Sequence, residues 1–146
     1  MSAPSRVYAL SRSAAAEWLA SIDTHGARRA QESDLDFVAD LHALEFPTTY
    51  ATAHGLVHDP DLLTFVVERD GTPIGYASGH VTTDGAGQLD YMAVVPDARG
   101  VGDGHVLLAA TLAALFAEAD LDELRLAVEE HRKPAIPIEK AATYMA

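Results

Sequence analysis

Six consecutive residues, Arg99-Gly100-Val101-Gly102-Asp103-Gly104, have the composition of an anion cradle. They follow a β-rich run, Tyr91-Met92-Ala93-Val94-Val95, that stops at Pro96, and they open an apolar stretch reaching Phe116. A strand, a glycine turn and a helix start in succession leave the first helical N–H groups unpaired and facing outward. Glycines there let a phosphate approach the backbone without meeting a Cβ. The chemistry expected of this turn is therefore the binding of a phosphorylated ligand. A Walker A loop is excluded, because no Lys follows the glycines, and a dinucleotide fingerprint fails because Leu107 stands where the third glycine belongs.

The spacing that does fit is Arg-x-x-Gly-x-Gly behind a Val-x-Pro-x-x-Arg strand end. In this the chain resembles the GCN5-related N-acetyltransferase (GNAT) family, in which the segment holds the diphosphate of acyl-coenzyme A. The resemblance spans about Ala27 to Tyr144. It implies a GNAT-like acyl-CoA N-acyltransferase fold of the α+β class, a mixed, mostly antiparallel sheet flanked by helices. The two strands on either side of the central helix are then expected to splay apart and admit the pantetheine arm. Met92, Val94 and the turn Arg99, Gly100, Val101, Gly102, Asp103 and Gly104 are carried over as coenzyme contacts, mainly through backbone N–H groups.

Acyl transfer from that ligand to an amine sets two chemical demands. Negative charge develops on the thioester oxygen, and a backbone N–H near Val94 is placed to stabilise it. The attacking amine must also lose a proton, since aliphatic ammonium groups titrate near ~10.4. Asp90 is the candidate base, on a face that strict strand alternation assigns to Gln88, Asp90, Met92 and Val94. An exposed strand carboxylate or an arginine partner is the plainer reading of Asp90. The family's tail, Asn-x-x-Ala-Ile-x-Leu-Tyr-Glu-Lys, is only partly matched by residues 132–144. Glu139 stands in the place of the acid tyrosine, which leaves Tyr144 as the candidate to protonate the departing thiolate.

Elements elsewhere must position these groups. Residues 1–26 form an N-terminal extension with a strand at Val7–Leu10 and a helix capped by Ser11 that carries Ala15, Trp18, Leu19 and Ile22. Residues 27–146 form the GNAT-like acyltransferase domain. Ser33-Asp34-Leu35-Asp36 has capping-box spacing ahead of the stripe Phe37, Val38, Leu41 and Leu44. Phe46 to Pro60 reads as irregular and, by the resemblance, lines the acceptor side. Gly55 and Pro60 argue against a helix that would aim His54 and His58 at one metal ion, so no metal is expected. His42 and His105 read as helix residues at the edge of a core. Asp70-Gly71 joins two strands, Leu62–Glu68 and Pro73–Gly79, and Asp84–Gly87 turns the chain into a third, while Leu124–Val128 would lie parallel to the strand ending at Val95. Without the two further strands usual in the family, that last strand would be an exposed edge, for which the N-terminal extension, a homodimer partner or a truncated gene product would each account.

Composition narrows the function classes. With 146 residues and 49% hydrophobic content, one domain burying ~68–70% of its unfolded surface is expected. The longest apolar run, Val106 to Phe116, is too short to span a bilayer, and no signal-like start is present; no membrane association is expected. Lack of cysteine suits a reducing cytoplasm. A net charge of −12, from 22 acids against 10 Lys and Arg, argues against nucleic acid and tolerates cationic partners. The resulting expectation is an enzyme that moves an acetyl group from acetyl-CoA to an amine-bearing small molecule or peptide. The alternative from another class is a catalytically silent GNAT-fold domain that binds acyl-CoA or a protein partner.

Overall fold

The structure is a computed structural model that describes residues 5–47, 51–98, 101–118, 120–129 and 143–145. The chain enters as strand β1 (Ser5–Ser11) and turns at once into helix α1 (Arg12–Leu19), where the Ser11 hydroxyl accepts the Ala14 N–H at 3.3 Å. After the short strand β2 (Ala27–Arg29) come helix α2 (Leu35–Glu45) and helix α3 (Ala53–His58). The centre is a meander of β3 (Leu63–Arg69), β4 (Thr72–Val81) and β5 (Gly87–Val94). Helix α4 (Asp103–Glu118) then crosses to β6 (Glu123–Glu129), and β7 (Thr143–Met145) comes last.

These strands make one sheet in the order β2-β3-β4-β5-β6-β1-β7, antiparallel throughout except for the β5–β6 pair. The Asp-Gly signal is honoured: Asp70 and Gly71 both take positive φ, 54° and 80°, and Arg69 closes the hairpin opposite Thr72. The parallel pair follows from the crossover helix, which returns the chain in the same direction. Helices α1 and α4 cover one face, where Leu10, Ala15, Leu108, Leu112, Leu115 and Leu124 form a buried cluster. Helices α2 and α3 cover the other, with Val38, Leu41 and Leu56 packed on Val66 and Tyr76.

One expectation of the sequence reading is met, the N-terminal strand as cover of the last β-strand, and two features differ. The outer edge of β6 is taken by β1 of the same chain, in register from Ser5 opposite Glu129 to Ser11 opposite Glu123, so residues 5–11 build part of the sheet. Residues 53–58 are helical, not irregular: the Thr52 hydroxyl accepts the Gly55 N–H at 3.0 Å, and this cap offsets the low helix propensity of the glycine. His54 and His58 therefore do share a helix face, with ring centroids 4.6 Å apart, and His58 pairs with Glu32. Among the described residues no group of three or more metal-ligating side chains is assembled.

The second difference lies at the start of α2. Asp34, not Ser33, does the local work: its carboxylate accepts the Gln31 N–H at 2.7 Å and receives both arms of Arg28 from β2, at 2.7 and 2.9 Å. Arg28 also reaches Glu68 on β3, at 3.3 Å. Asp34 is buried, so this fork ties β2 to the start of α2. The Arg28 guanidinium, more than any other neighbour, holds the Asp34 carboxyl below the usual carboxylate range. A depressed carboxyl contributes stability above its unfolded value of ~3.9, and that contribution disappears as pH falls through the folded value. Asp34→Asn is expected to lower unfolding free energy in urea by about 2–3 kcal/mol near neutral pH. The gap between variant and parent should close in acid; a gap that stays constant with pH would contradict the assignment.

Candidate active site

Strands β5 and β6 are joined only at one end. Gly87 faces Leu124, Gln88 faces Arg125 and Leu89 faces Leu126, and there the pairing stops, although β5 runs on to Val94 and β6 to Glu129. On its other side β5 stays paired with β4, but with an extra residue: Leu89 lies opposite Gly79 and Tyr91 opposite Ser78, leaving Asp90 between them. An inserted residue of this kind bends its strand and raises the local twist, which turns β5 away from β6. Gly79 lies between the bulge and α4: a Cβ there would stand 2.7 Å from the Gln88 carbonyl and 3.2 Å from Leu115 Cδ1.

The bulge corrects the alternation expected of β5. Leu89, Met92 and Val94 pack on the α4 side with Val67, Ala77 and Leu107, whereas Tyr91 and Val95 pack on the α2 side with Tyr76 and Val38. Asp90 does not share a face with Met92 and Val94. It bonds instead to His80 of β4, with Nδ1 to Oδ2 at 2.6 Å, and to Gln88, with Nε2 to Oδ1 at 3.3 Å. The Val95 N–H donates to the Ile74 carbonyl on the β4 side at 2.9 Å, so by alternation the Met92 and Val94 N–H groups point to the β6 side, into the wedge.

The glycine turn stands at the start of α4. Gly102 has φ +92°, a left-handed conformation that favours glycine, and its carbonyl accepts the His105 and Val106 N–H groups at 3.1 and 3.2 Å. A Cβ added to Gly102 or Gly104 would meet nothing within 4 Å, so the turn is open on its outer side. Neither the Gly102, Asp103 nor Gly104 N–H is hydrogen-bonded to a described residue. Val101 is three-quarters exposed beside them. Arg99 and Gly100, expected contacts of the same turn, lie outside the described residues, as do residues 130–142 of the tail. Tyr144 is placed in β7 opposite Tyr8 of β1, two strands beyond β6, and does not join Asp90.

Asp103 heads α4 but its carboxylate is turned inward. It is 5% exposed and is gripped by Arg69 at the end of β3, with Nε and Nη2 at 3.0 and 2.8 Å from Oδ1, while Nη1 of the same arginine donates to the His25 carbonyl at 2.6 Å. The negative charge that stood beside the cradle in the sequence is thus neutralised from the far side of the strand meander.

On the α2 side, His42 is buried rather than at a core edge. Its Nδ1 lies 2.6 Å from the Tyr76 hydroxyl, and its ring meets Tyr91 edge-on at 4.8 Å and Phe46 at 5.6 Å. Burial pushes the His42 imidazole down and the Tyr76 hydroxyl up, so both are held neutral. His80, Tyr76 and Tyr91 escaped the sequence reading. Counting the β4–β5 hairpin outward from its turn puts His80 opposite Gln88, and that count was the available signal.

A mixed sheet with helices on both faces, a central crossover, a strand pair parted beyond its first residues and a glycine turn at the crossover helix is the acyl-CoA N-acyltransferase fold. The profile of the acetyltransferase (GNAT) family matches residues 24–138, and the chain belongs to that family. Comparison with curated proteins found no match. Among solved structures, a protein assigned to the GNAT family from Novosphingobium aromaticivorans superposes with a TM-score of 0.76 at 15% identity, over 99% of this chain and 62% of its own. A ribosomal-protein-alanine N-acetyltransferase from Brucella melitensis gives 0.56 at 25% identity, covering 72% of this chain and 78% of its own. AAC(6')-Iy, solved with the bisubstrate analogue CoA-S-monomethyl-acetylneamine, gives 0.59 at 18% identity, with 78% and 83% covered. The chain spans 64%, 57% and 62% of the length of three neighbours.

Because Arg69 and Asp103 fasten α4 to the meander, their substitutions should not act independently. A double-mutant cycle of Arg69→Gln and Asp103→Asn in urea is expected to give a coupling of about 1–2 kcal/mol. Additive losses would show that the pair does not hold the helix start in place.

Proposed function

We propose that the chain is an N-acetyltransferase that takes acetyl-CoA as donor and a primary amine of a small molecule or peptide as acceptor. The observation that carries the reading is the parted β5–β6 pair, with an open glycine turn at the start of the crossover helix. The residues present suit an acyl-CoA. The Gly102, Asp103 and Gly104 N–H groups are oriented donors at a helix start, which favours a diphosphate. Arg99, Gly100 and Val101 complete that turn in the proposal. The Met92 and Val94 N–H groups face the wedge, where the pantetheine amides and the thioester need strand-like partners.

The chain's own groups supply three functions. The turn binds and orients the donor. Backbone N–H groups of β5 oppose the charge that grows on the thioester oxygen. The proton-accepting group is built on Asp90, at the apex of the wedge and on the side of α2 and α3, from which the acceptor enters. An acidic surface of −12 draws cationic amines toward it. The relatives' names support this acceptor class, one being a ribosomal-protein-alanine N-acetyltransferase and another solved with an acetylneamine conjugate of CoA. Among the described residues no helix is long and apolar enough to cross a membrane; a cytoplasmic setting is a separate part of the proposal.

Thermal unfolding against increasing acetyl-CoA tests this. At a hundredfold excess over Kd the native state should gain about 2.7 kcal/mol, with desulfo-CoA acting similarly and ATP much less. Gly104→Glu is the decisive variant, because the position is open and carries no positive φ, and an acidic side chain suits a helix start. It should leave the free protein as stable as the parent and remove the response to coenzyme. A folded parent protein with no response to acetyl-CoA would overturn the reading.

A further inference from the structure

The bulge does more than open the wedge. It brings Asp90 beside His80, and both oxygens of that carboxylate are then engaged, one by His80 Nδ1 at 2.6 Å and one by Gln88 Nε2 at 3.3 Å. An ionised carboxylate only accepts hydrogen bonds, so the His80 Nδ1 is the protonated nitrogen and donates to Oδ2. In the neutral imidazole the lone pair then lies on Nε2, and Nε2 has no hydrogen-bond partner among the described residues. Of the two side chains His80 is the more open, 34% exposed against 20% for Asp90. Resting on the acetyltransfer reading, we infer that His80 is the proton acceptor of the reaction and that Asp90 is its positioning residue.

The placement agrees with the acceptor's route. Along β4, Tyr76, Ser78 and His80 alternate with Gly75, Ala77 and Gly79, whose added Cβ atoms or side chains meet α4. His80 is accordingly on the α2 and α3 side of the sheet, opposite the face on which Met92 and Val94 pack. Asp90 is the first residue of β5 beyond the last β5–β6 pair, Leu89 with Leu126. Arg125 of β6, opposite Gln88, has its guanidinium committed to Asp84 and Glu123 at 2.9 and 3.2 Å. Among the described residues the Asp90 carboxylate bonds to His80 and Gln88.

The step balances without a further reactant. The acceptor nitrogen gives a proton to His80 Nε2, the C–N bond forms, and the C–S bond breaks with its electron pair on sulfur. An acceptor entering as ammonium first releases one proton to solvent, and the proton taken by His80 then passes through solvent to the thiolate, which restores the neutral imidazole. The carboxylate of Asp90 holds the imidazolium while it lasts, as an orienting group does for a histidine base.

Thiol release from acetyl-CoA with a polyamine, an aminoglycoside and an alanine-terminated peptide provides the kinetic test. Nitrogen-15 NMR of the histidines provides an independent one. His80→Ala and the milder His80→Gln are expected to lower kcat/KM for the amine by about 10²–10³-fold with an unchanged thermal response to acetyl-CoA, and added imidazole should partly restore the alanine variant. The wild-type His80 resonances should report the Nδ1–H tautomer, and Asp90→Asn should abolish that preference. Full activity in both His80 variants, or an Nε2–H tautomer in the wild type, would overturn the dyad while leaving the acetyltransfer reading standing. Coenzyme binding without thiol release from any of the three amines would overturn both.

Discussion

One surplus residue in β5 governs the geometry of this molecule. Two strands that start in parallel register would ordinarily continue pairing, because each broken ladder position leaves an N–H and a carbonyl without a partner. Asp90 interrupts that tendency from the opposite side of the strand. By taking a place that β4 does not match, it bends β5 after Leu89, and the β5–β6 ladder ends at the same level. The stretch of β5 beyond Leu89 borders a gap between the two strands. The same residue shifts the strand's alternation, so the half of β5 beyond the bulge presents Met92 and Val94 to α4 and Tyr91 to α2. Opening a cleft and assigning side chains to its two mouths are a single structural event.

The walls of the cleft are held by charge pairs that anchor helix starts. Arg69 secures the head of α4 through Asp103, and Arg28 secures the approach to α2 through Asp34. Both carboxylates are buried and both arginines come from the meander side of the sheet, from β3 and β2. A carboxylate at a helix start also complements the partial positive charge of the helix dipole. At α4 the consequence is functional. The acid adjoining the glycine turn is satisfied from within by Arg69, so its charge is not turned toward the open side of that turn.

The far edge of the sheet shows the chain solving a problem that its core elements create. A parallel strand at a sheet edge, with its N–H and carbonyl groups open along one side, invites pairing with another chain. Here the first strand of the same polypeptide lies along β6 through seven residue pairs, and β7 lies along β1 in turn. Helix α1, which follows directly, packs Ala15 and Trp18 into the cluster beneath α4. Residues 5–19 therefore contribute both to the sheet and to one of its two cores.

What could be read from the amino acids was whatever local rules dictate. The Asp-Gly hairpin, the Ser11 cap, the crossover unit and the open glycine turn each depend on a few adjacent residues, and each stands close to its expected place. The short helix at Ala53–His58 was missed because its cap, Thr52, lies outside the glycine that argued against it. What could not be read was every relation set by partners far apart in the chain. The bulge at Asp90 exists only relative to the register of β4, the neutralisation of Asp103 only through a residue 34 positions earlier, and the His80–Asp90 contact through both strands at once. A carboxylate's role depends on which cation or imidazole the sheet delivers to it. Residue types and spacing located the glycine turn because backbone N–H groups and glycines act within the local chain; the cluster around Asp90 had to await packing, because its side chains come together only across strands.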